Sequence, residues 1–138
     1  MKMTTCGIVS VEDNKMDGLV IKRTLSDLTC EDVTVIRDGH TALDFFCDDS
    51  KIPCLILLDI NLPFKSGLEI LKEIREREHL RKVPIVMFSS SQIDEEVENA
   101  YELGANSYVA KPSDHEQLEK ALERIYEFWF ETAMTAHK

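Results

Sequence analysis

Residues 54–58 read Cys-Leu-Ile-Leu-Leu, and Asp59 follows at once. A strand with one wet face alternates apolar and polar residues. This run does not alternate, so it predicts a strand covered on both faces, the signature of a central strand in a parallel sheet. It is also far shorter than the ~20 apolar residues that cross a bilayer. Four other short apolar runs occur, at 6–11, 33–36, 85–88 and 108–110. Between and after them, apolar residues recur at helical spacing. Leu19, Ile21, Leu25 and Leu28 mark the first helix, and Ala42, Leu43 and Phe46 the second. Leu68, Leu71, Ile74 and Leu80 mark the third, and Ile93, Val97, Ala100, Tyr101 and Leu103 the fourth. Leu118, Leu122, Ile125 and Trp129 mark the last. Strand and helix thus alternate five times, which predicts an α/β fold with a parallel sheet between two layers of helices.

The punctuation agrees. Ser66-x-x-Glu69 and Ser113-x-x-Glu116 have the capping-box pattern of helix starts. Asp38-Gly39 reads as a turn, and Gly104 stands where a helix ends in the left-handed region. The 138 residues suit one domain. With 26 acidic against 16 basic residues the net charge is −10, which argues against a nucleic-acid partner. The start lacks the apolar core of a signal peptide, so the expected location is the cytoplasm, with no membrane contact. Cys6, Cys30, Cys47 and Cys54 follow no metal-binding spacing and read as small buried hydrophobes. Arg75, Arg77, Arg81 and Lys82 read as a solvated basic face.

Ligands of open α/β sheets bind beyond the carboxyl ends of the strands. The residues there are Glu12-Asp13-Asn14 after the first strand, Asp59 after the third, Ser89-Ser90-Ser91 after the fourth and Lys111-Pro112 after the fifth. Taken singly, each has a plain reading: an acidic residue as a helix cap, serines as a turn, a lysine as a solvated loop. Taken in order, they bring three carboxylates, a hydroxyl and one ammonium to one edge. Two carboxylates ~5 Å apart repel by roughly 3 kcal/mol at an effective dielectric of about 20. Lys111 offsets one charge, and the all-oxygen donor set calls for a hard divalent ion such as Mg²⁺. Mg²⁺ on a few carboxylates commonly meets phosphate, so phosphoryl chemistry is the natural expectation.

The sequence resembles the receiver domain of two-component response regulators. The stretches that carry the likeness are residues 8–14 (Ile-Val-Ser-Val-Glu-Asp-Asn), 55–63 (Leu-Ile-Leu-Leu-Asp-Ile-Asn-Leu-Pro) with Gly67, 84–89 (Pro-Ile-Val-Met-Phe-Ser), and 103–112 (Leu-Gly-Ala-Asn-Ser-Tyr-Val-Ala-Lys-Pro). The resemblance implies a flavodoxin-like sheet in 2-1-3-4-5 order flanked by five helices. It implies one receiver domain over 1–138, with a core over about 7–125 and a final helix running to about 133. Asp59 would be the phosphoacceptor. Asp13, Asp59 and the backbone carbonyl of Asn61 would hold Mg²⁺, with Glu12 acting beside it through a bound water. Lys111 and Ser89 would bind phosphoryl oxygens, Tyr108 would turn inward as Ser89 moves, and the Lys111–Pro112 bond would be cis. The donor would be a sensor histidine kinase, of the phytochrome type among others, or a phosphotransfer protein.

Ser66 and Ser90 depart from the family's usual Asp and Ala, and Asn61 and Ser91 occupy positions that tune water access to the phosphate. The aromatic ending at Phe128, Trp129 and Phe130 resembles stand-alone regulators paired with phytochrome-type kinases. Trp129 continues the core stripe. Phe128 and Phe130 lie off it and either cover the sheet or leave a patch for a partner or a second copy of the chain. Output by changed protein contacts, relay to another protein, and service as a phosphate sink all fit such a chain. A phosphatase of the haloacid-dehalogenase kind would need a second Asp where Asn61 stands. A flavin or nucleotide binder would need a phosphate loop where the sequence has Glu12-Asp13-Asn14-Lys15. A scaffold that never takes a phosphoryl group would not need the complete site set.

Overall fold

The computed structural model describes residues 7–136. Five parallel strands form one sheet, in the order β2-β1-β3-β4-β5. The strands are β1 (Ile8–Val11), β2 (Val33–Ile36), β3 (Leu55–Leu58), β4 (Ile85–Ser89) and β5 (Ser107–Ala110). The helices are α1 (Lys15–Leu28), α2 (Gly39–Cys47), α3 (Gly67–Arg75), α4 (Asp94–Glu102) and α5 (His115–Tyr126). A 3₁₀ turn, Glu78–Leu80, follows α3, and a π-helical turn, Glu127–Thr132, extends α5. Leu80 therefore packs from that separate turn rather than from the third helix.

The central strand behaves as its sequence requires. Leu55 and Leu57 face a core built with Val20, Ile21 and Leu25 of α1 and Leu118, Leu122 and Ile125 of α5. Ile56 and Leu58 face the opposite core, built with Ala42 and Phe46 of α2, Ile70, Leu71 and Ile74 of α3 and Ala100 of α4. All four strand residues are fully buried. Burial of each such side chain stabilises the fold by about 1.5–3 kcal/mol. Alternation exists here, but between two dry faces, so both sets are apolar.

Most helix starts match the sequence signals. Asp38 caps α2, its carboxylate accepting from the Thr41 N–H at 2.8 Å. Ser66 and Glu69 form the reciprocal capping box of α3, and Gly104 has φ of 111°. The cap of α5 is Asp114, not Ser113: its Oδ2 accepts from the Gln117 N–H at 3.1 Å. A carboxylate there also suits the helix dipole.

Other expectations are corrected. Cys30 and Cys47 are exposed thiols and Cys54 is half-buried, while Cys6 lies outside the described residues. Arg75 is not part of a solvated face. Its guanidinium donates to the carbonyls of Gly104 (2.9 Å), Leu80 (3.1 Å) and Val83 (3.0 Å) and to Asn106 Oδ1 (2.9 Å). It thereby ties α3 to the loops that precede β4 and β5. The π turn shifts the angular spacing of the last residues. Phe130 comes to stack on Tyr126 at 4.6 Å and is half-buried with Trp129, while Phe128 stays 50% exposed.

Gly67 fixes the approach of α3 to the end of β3. A Cβ there would lie 1.9 Å from the Asp59 carbonyl oxygen, which is backbone and cannot swing away. Gly67→Ala is expected to lose about 3 kcal/mol, read as a lower urea midpoint at unchanged slope; an unchanged midpoint would contradict this packing.

Candidate functional site

The carboxyl ends of β1, β3, β4 and β5 gather the residues singled out above. The register explains why. Val11 pairs with Leu58, Leu58 with Met87 and Ser89 with Ala110, so the four strands stop nearly level. The next residue of β1 is Glu12, of β3 Asp59 and of β5 Lys111. Glu12 and Asp59 are only 1% and 5% exposed, and Ser89 is fully buried. Asp13 stands exposed at the rim.

Lys111 lies at the centre. Its Nζ is 2.8 Å from Glu12 Oε1, 3.0 Å from Asp17 Oδ2 and 3.1 Å from Asp59 Oδ2. Its backbone N–H donates to the Ser89 carbonyl at 2.8 Å. Burial would by itself lower the lysine pKa. The hydrogen bond to Glu12 and the charges of Asp59 and Glu12 outweigh it and hold the ammonium above its usual range. Burial drives the Glu12 carboxyl up to about 7; the Asp59 charge pushes the same way, and the contact with Lys111 pulls against both. No cis bond occurs among the described residues, so the Lys111–Pro112 peptide is trans. The expected cis Lys111–Pro112 bond is thus corrected to the trans form, which X-Pro bonds favour by about 0.5–1 kcal/mol.

Glu12, Asp13 and Asp59 each offer one oxygen, all within 4.8 Å of one another. Ligands of a Mg²⁺ octahedron at ~2.1 Å stand up to about 4.2 Å apart. A small contraction would therefore suit these three to a hard cation, and the donor set is all oxygen. Asn61 is exposed, and its N–H donates to Asp59 Oδ1 at 3.3 Å. The Arg37 guanidinium holds the Asp13 carbonyl at 3.0 Å.

On the β4–β5 side, Ser89 Oγ accepts from the Ser91 N–H at 3.3 Å. The half-buried Tyr108 donates its hydroxyl to the Ser91 carbonyl at 2.7 Å. Burial pushes the Tyr108 phenol up, while hydrogen bonding to Ser89 and Ser91 offsets part of the shift. Ser91 Oγ in turn bonds Glu96 of α4, and the Tyr108 N–H donates to the Tyr101 hydroxyl at 3.0 Å. Sequence reasoning had placed Ser91 at the site but had not linked Glu96 and Tyr101 to it, because their contacts cross between elements. It also missed Asp17, which lies in the first turn of α1, four residues after Asp13. Phe64, in the loop after Asp59, is 79% exposed at φ of 72° and rests against His40.

A family model described as the response regulator receiver domain matches residues 8–123. The chain is 36% identical over 131 residues to response regulator Rcp1 of Synechocystis sp., covering 91% of this chain and 89% of that protein. The crystal structure of the Mn²⁺-bound form of Rcp1 superposes with a TM-score of 0.86 at 35% identity, covering 94% of this chain and 97% of that one. The crystal structure of the phosphorylated cyanobacterial phytochrome response regulator RcpA superposes with a TM-score of 0.89 at 35% identity, covering 96% and 99%.

The raised Glu12 carboxyl has a consequence for stability. Between its ordinary value of 4.5 and about 7 the folded chain holds a proton that the unfolded chain has released. Stability from this group is therefore complete below that window and is lost as pH rises through it. In metal-free buffer the melting temperature of the wild type should fall relative to Glu12→Gln between pH 4.5 and 7; parallel curves would show that Glu12 is not protonated in the folded state.

Proposed function

The chain belongs to the response regulator receiver domain family, and on that premise we propose that it takes a phosphoryl group from a sensor histidine kinase onto Asp59. The observation that carries this reading is the buried Asp59 carboxylate with Lys111 Nζ at 3.1 Å, beside the acidic pair Glu12 and Asp13. The Asp59 oxygen attacks the phosphorus of a phosphohistidine. The O–P bond forms as the P–N bond breaks, and the electron pair returns to the imidazole of the donor. Asp13, Asp59 and the Asn61 carbonyl are the residues proposed to hold Mg²⁺, with Glu12 acting through a bound water. When bound, Mg²⁺ supplies positive charge against the phosphoryl oxygens. Lys111 pairs with one of those oxygens, and the Ser89 hydroxyl donates to another. The acyl phosphate adds about −1.5 to −2 charges to the pocket, so both contacts gain strength on transfer.

The movement of Ser89 would then be read by Tyr108. Its hydroxyl already bridges to Ser91, and Ser91 to α4. A shift there changes the surface of α4, β5 and α5 and thereby the contacts made with other proteins. The likeness to Rcp1 and RcpA makes a phytochrome-type kinase the favoured donor. A phosphotransfer protein is the other candidate. Phe128, exposed beside a groove of about 690 Å³ between β5 and α5, is the residue proposed to meet a partner or a second copy of the chain. Phe130 contributes less, since it is half-buried against Tyr126. Among the described residues no helix is long and apolar enough to cross a membrane; the cytoplasm is the location proposed, on the likeness to the receiver family.

Incubation with Mg²⁺ and acetyl phosphate should add one phosphoryl group to the wild type and none to Asp59→Asn, followed by intact mass. Absence of label on a protein that binds Mg²⁺, and that candidate kinases also fail to label, would sink the proposal. Asn61 and Ser91 are both modest in size, so the label should be lost well before many hours have passed; retention over that time would refute this part.

A further inference from the structure

Asp17 has no place in the phosphoacceptor chemistry described above, yet it touches the centre of the site. It stands at the third residue of α1, three after the capping Asn14. In a capping box a carboxylate there would reach back to the cap N–H. Here the Asn14 N–H is taken by Glu12 Oε2 at 3.1 Å. The Asp17 carboxylate instead turns across to β5, with Oδ2 at 3.0 Å from Lys111 Nζ and Oδ1 at 3.8 Å from His115 Nε2. Its side chain is only 15% exposed and that of Lys111 only 7%.

An ammonium has three N–H donors, and Lys111 faces three carboxylates. Two of those partners change when the site works. Asp59 becomes an acyl phosphate, and Glu12 is drawn to the metal side. Asp17 alone is claimed neither by the phosphoryl group nor by the proposed metal position. We propose that Asp17 is a positioning residue: its carboxylate keeps the Lys111 ammonium in place while the other two contacts are exchanged for a phosphoryl oxygen. This rests on the reading of Asp59 as the phosphoacceptor. The charge-assisted contact is partly shielded from water, so it keeps more of its strength than a surface pair does.

The test compares the wild type with Asp17→Asn and Asp17→Glu, each shown to be folded by thermal melting. Two readouts are taken. The first is the exchange of the Lys111 ammonium protons with water, followed by NMR on the metal-free, unphosphorylated ¹⁵N-labelled chain. The second is the rate of acetyl phosphate labelling with Mg²⁺. Asp17→Asn should speed exchange and slow labelling, each by about tenfold, the scale of one hydrogen bond to a charged group. Asp17→Glu should restore part of both. In a Lys111→Ala background Asp17→Asn should have no further effect on labelling. Unchanged exchange in Asp17→Asn, a wild-type Lys111 signal already lost to exchange, or equal slowing with Lys111 absent would each overturn the proposal. A wild type that takes no label at all would sink the phosphoacceptor reading instead, and the exchange rates would still show whether Asp17 holds Lys111.

Discussion

One ammonium shared by three carboxylates organises the edge of this sheet. Glu12, Asp17 and Asp59 come from two strand ends and a helix start, and Lys111 comes from a fourth element. Without the lysine, nearly buried carboxylates would face one another across a few ångströms, and such groups then either take up protons or break the packing. Removing one member of a buried charge set typically costs about 3–5 kcal/mol, because the remaining charges lose their compensation. The position of β5 at the sheet edge is thus fixed from two directions. Backbone pairing with β4 holds it along the strand, and the Lys111 contacts hold its end against β1, β3 and α1.

The same arrangement leaves the site unsatisfied in a useful way. Glu12 is driven toward its neutral form by burial, and Asp13 stands at the rim where a cation can reach it. A pocket with more carboxylates than cations attracts a hard divalent ion. On the proposed reading, an incoming phosphoryl group would then find positive charge where the protein alone would repel it. From Ser89 a chain of hydrogen bonds leads through Ser91 to Tyr108 and to Glu96 on α4. On the proposed reading, a movement of Ser89 would meet this connected set of polar groups before it reached the surface. Below the site, Gly67 lets α3 press on the Asp59 backbone, so the proposed acceptor stands on a closely packed base.

Much of this was legible in the chain. The unbroken apolar run before Asp59 announced a central strand, and five repeats of strand and helix announced the parallel sheet. Strand-end positions alone brought Glu12, Asp13, Asp59, Ser89 and Lys111 to one edge, since in a parallel sheet every strand ends on the same side. Local signals of one or two residues were less dependable. Ser113 and Asp114 are both capable caps, and their side-chain geometry, not their order, selected Asp114. Arg75 looked like one of a solvated basic group, yet the loops before β4 and β5 offered it four acceptors. Cys30 and Cys47 looked like core residues by type, but their positions near helix ends left them in water.

Sequence by itself therefore determined the layer order, the residues at the strand ends and the sign of the charge that gathers there, because these follow from period, polarity and chain direction. The tertiary structure decided which of those charges touch. Asp17 pairs with Lys111 across 94 positions of sequence because α1 lies beside the end of β5, and no local pattern encodes that distance. It also decided that Arg75 reaches Gly104 and Asn106, because only the contacts made after the elements pack bring that loop beside α3.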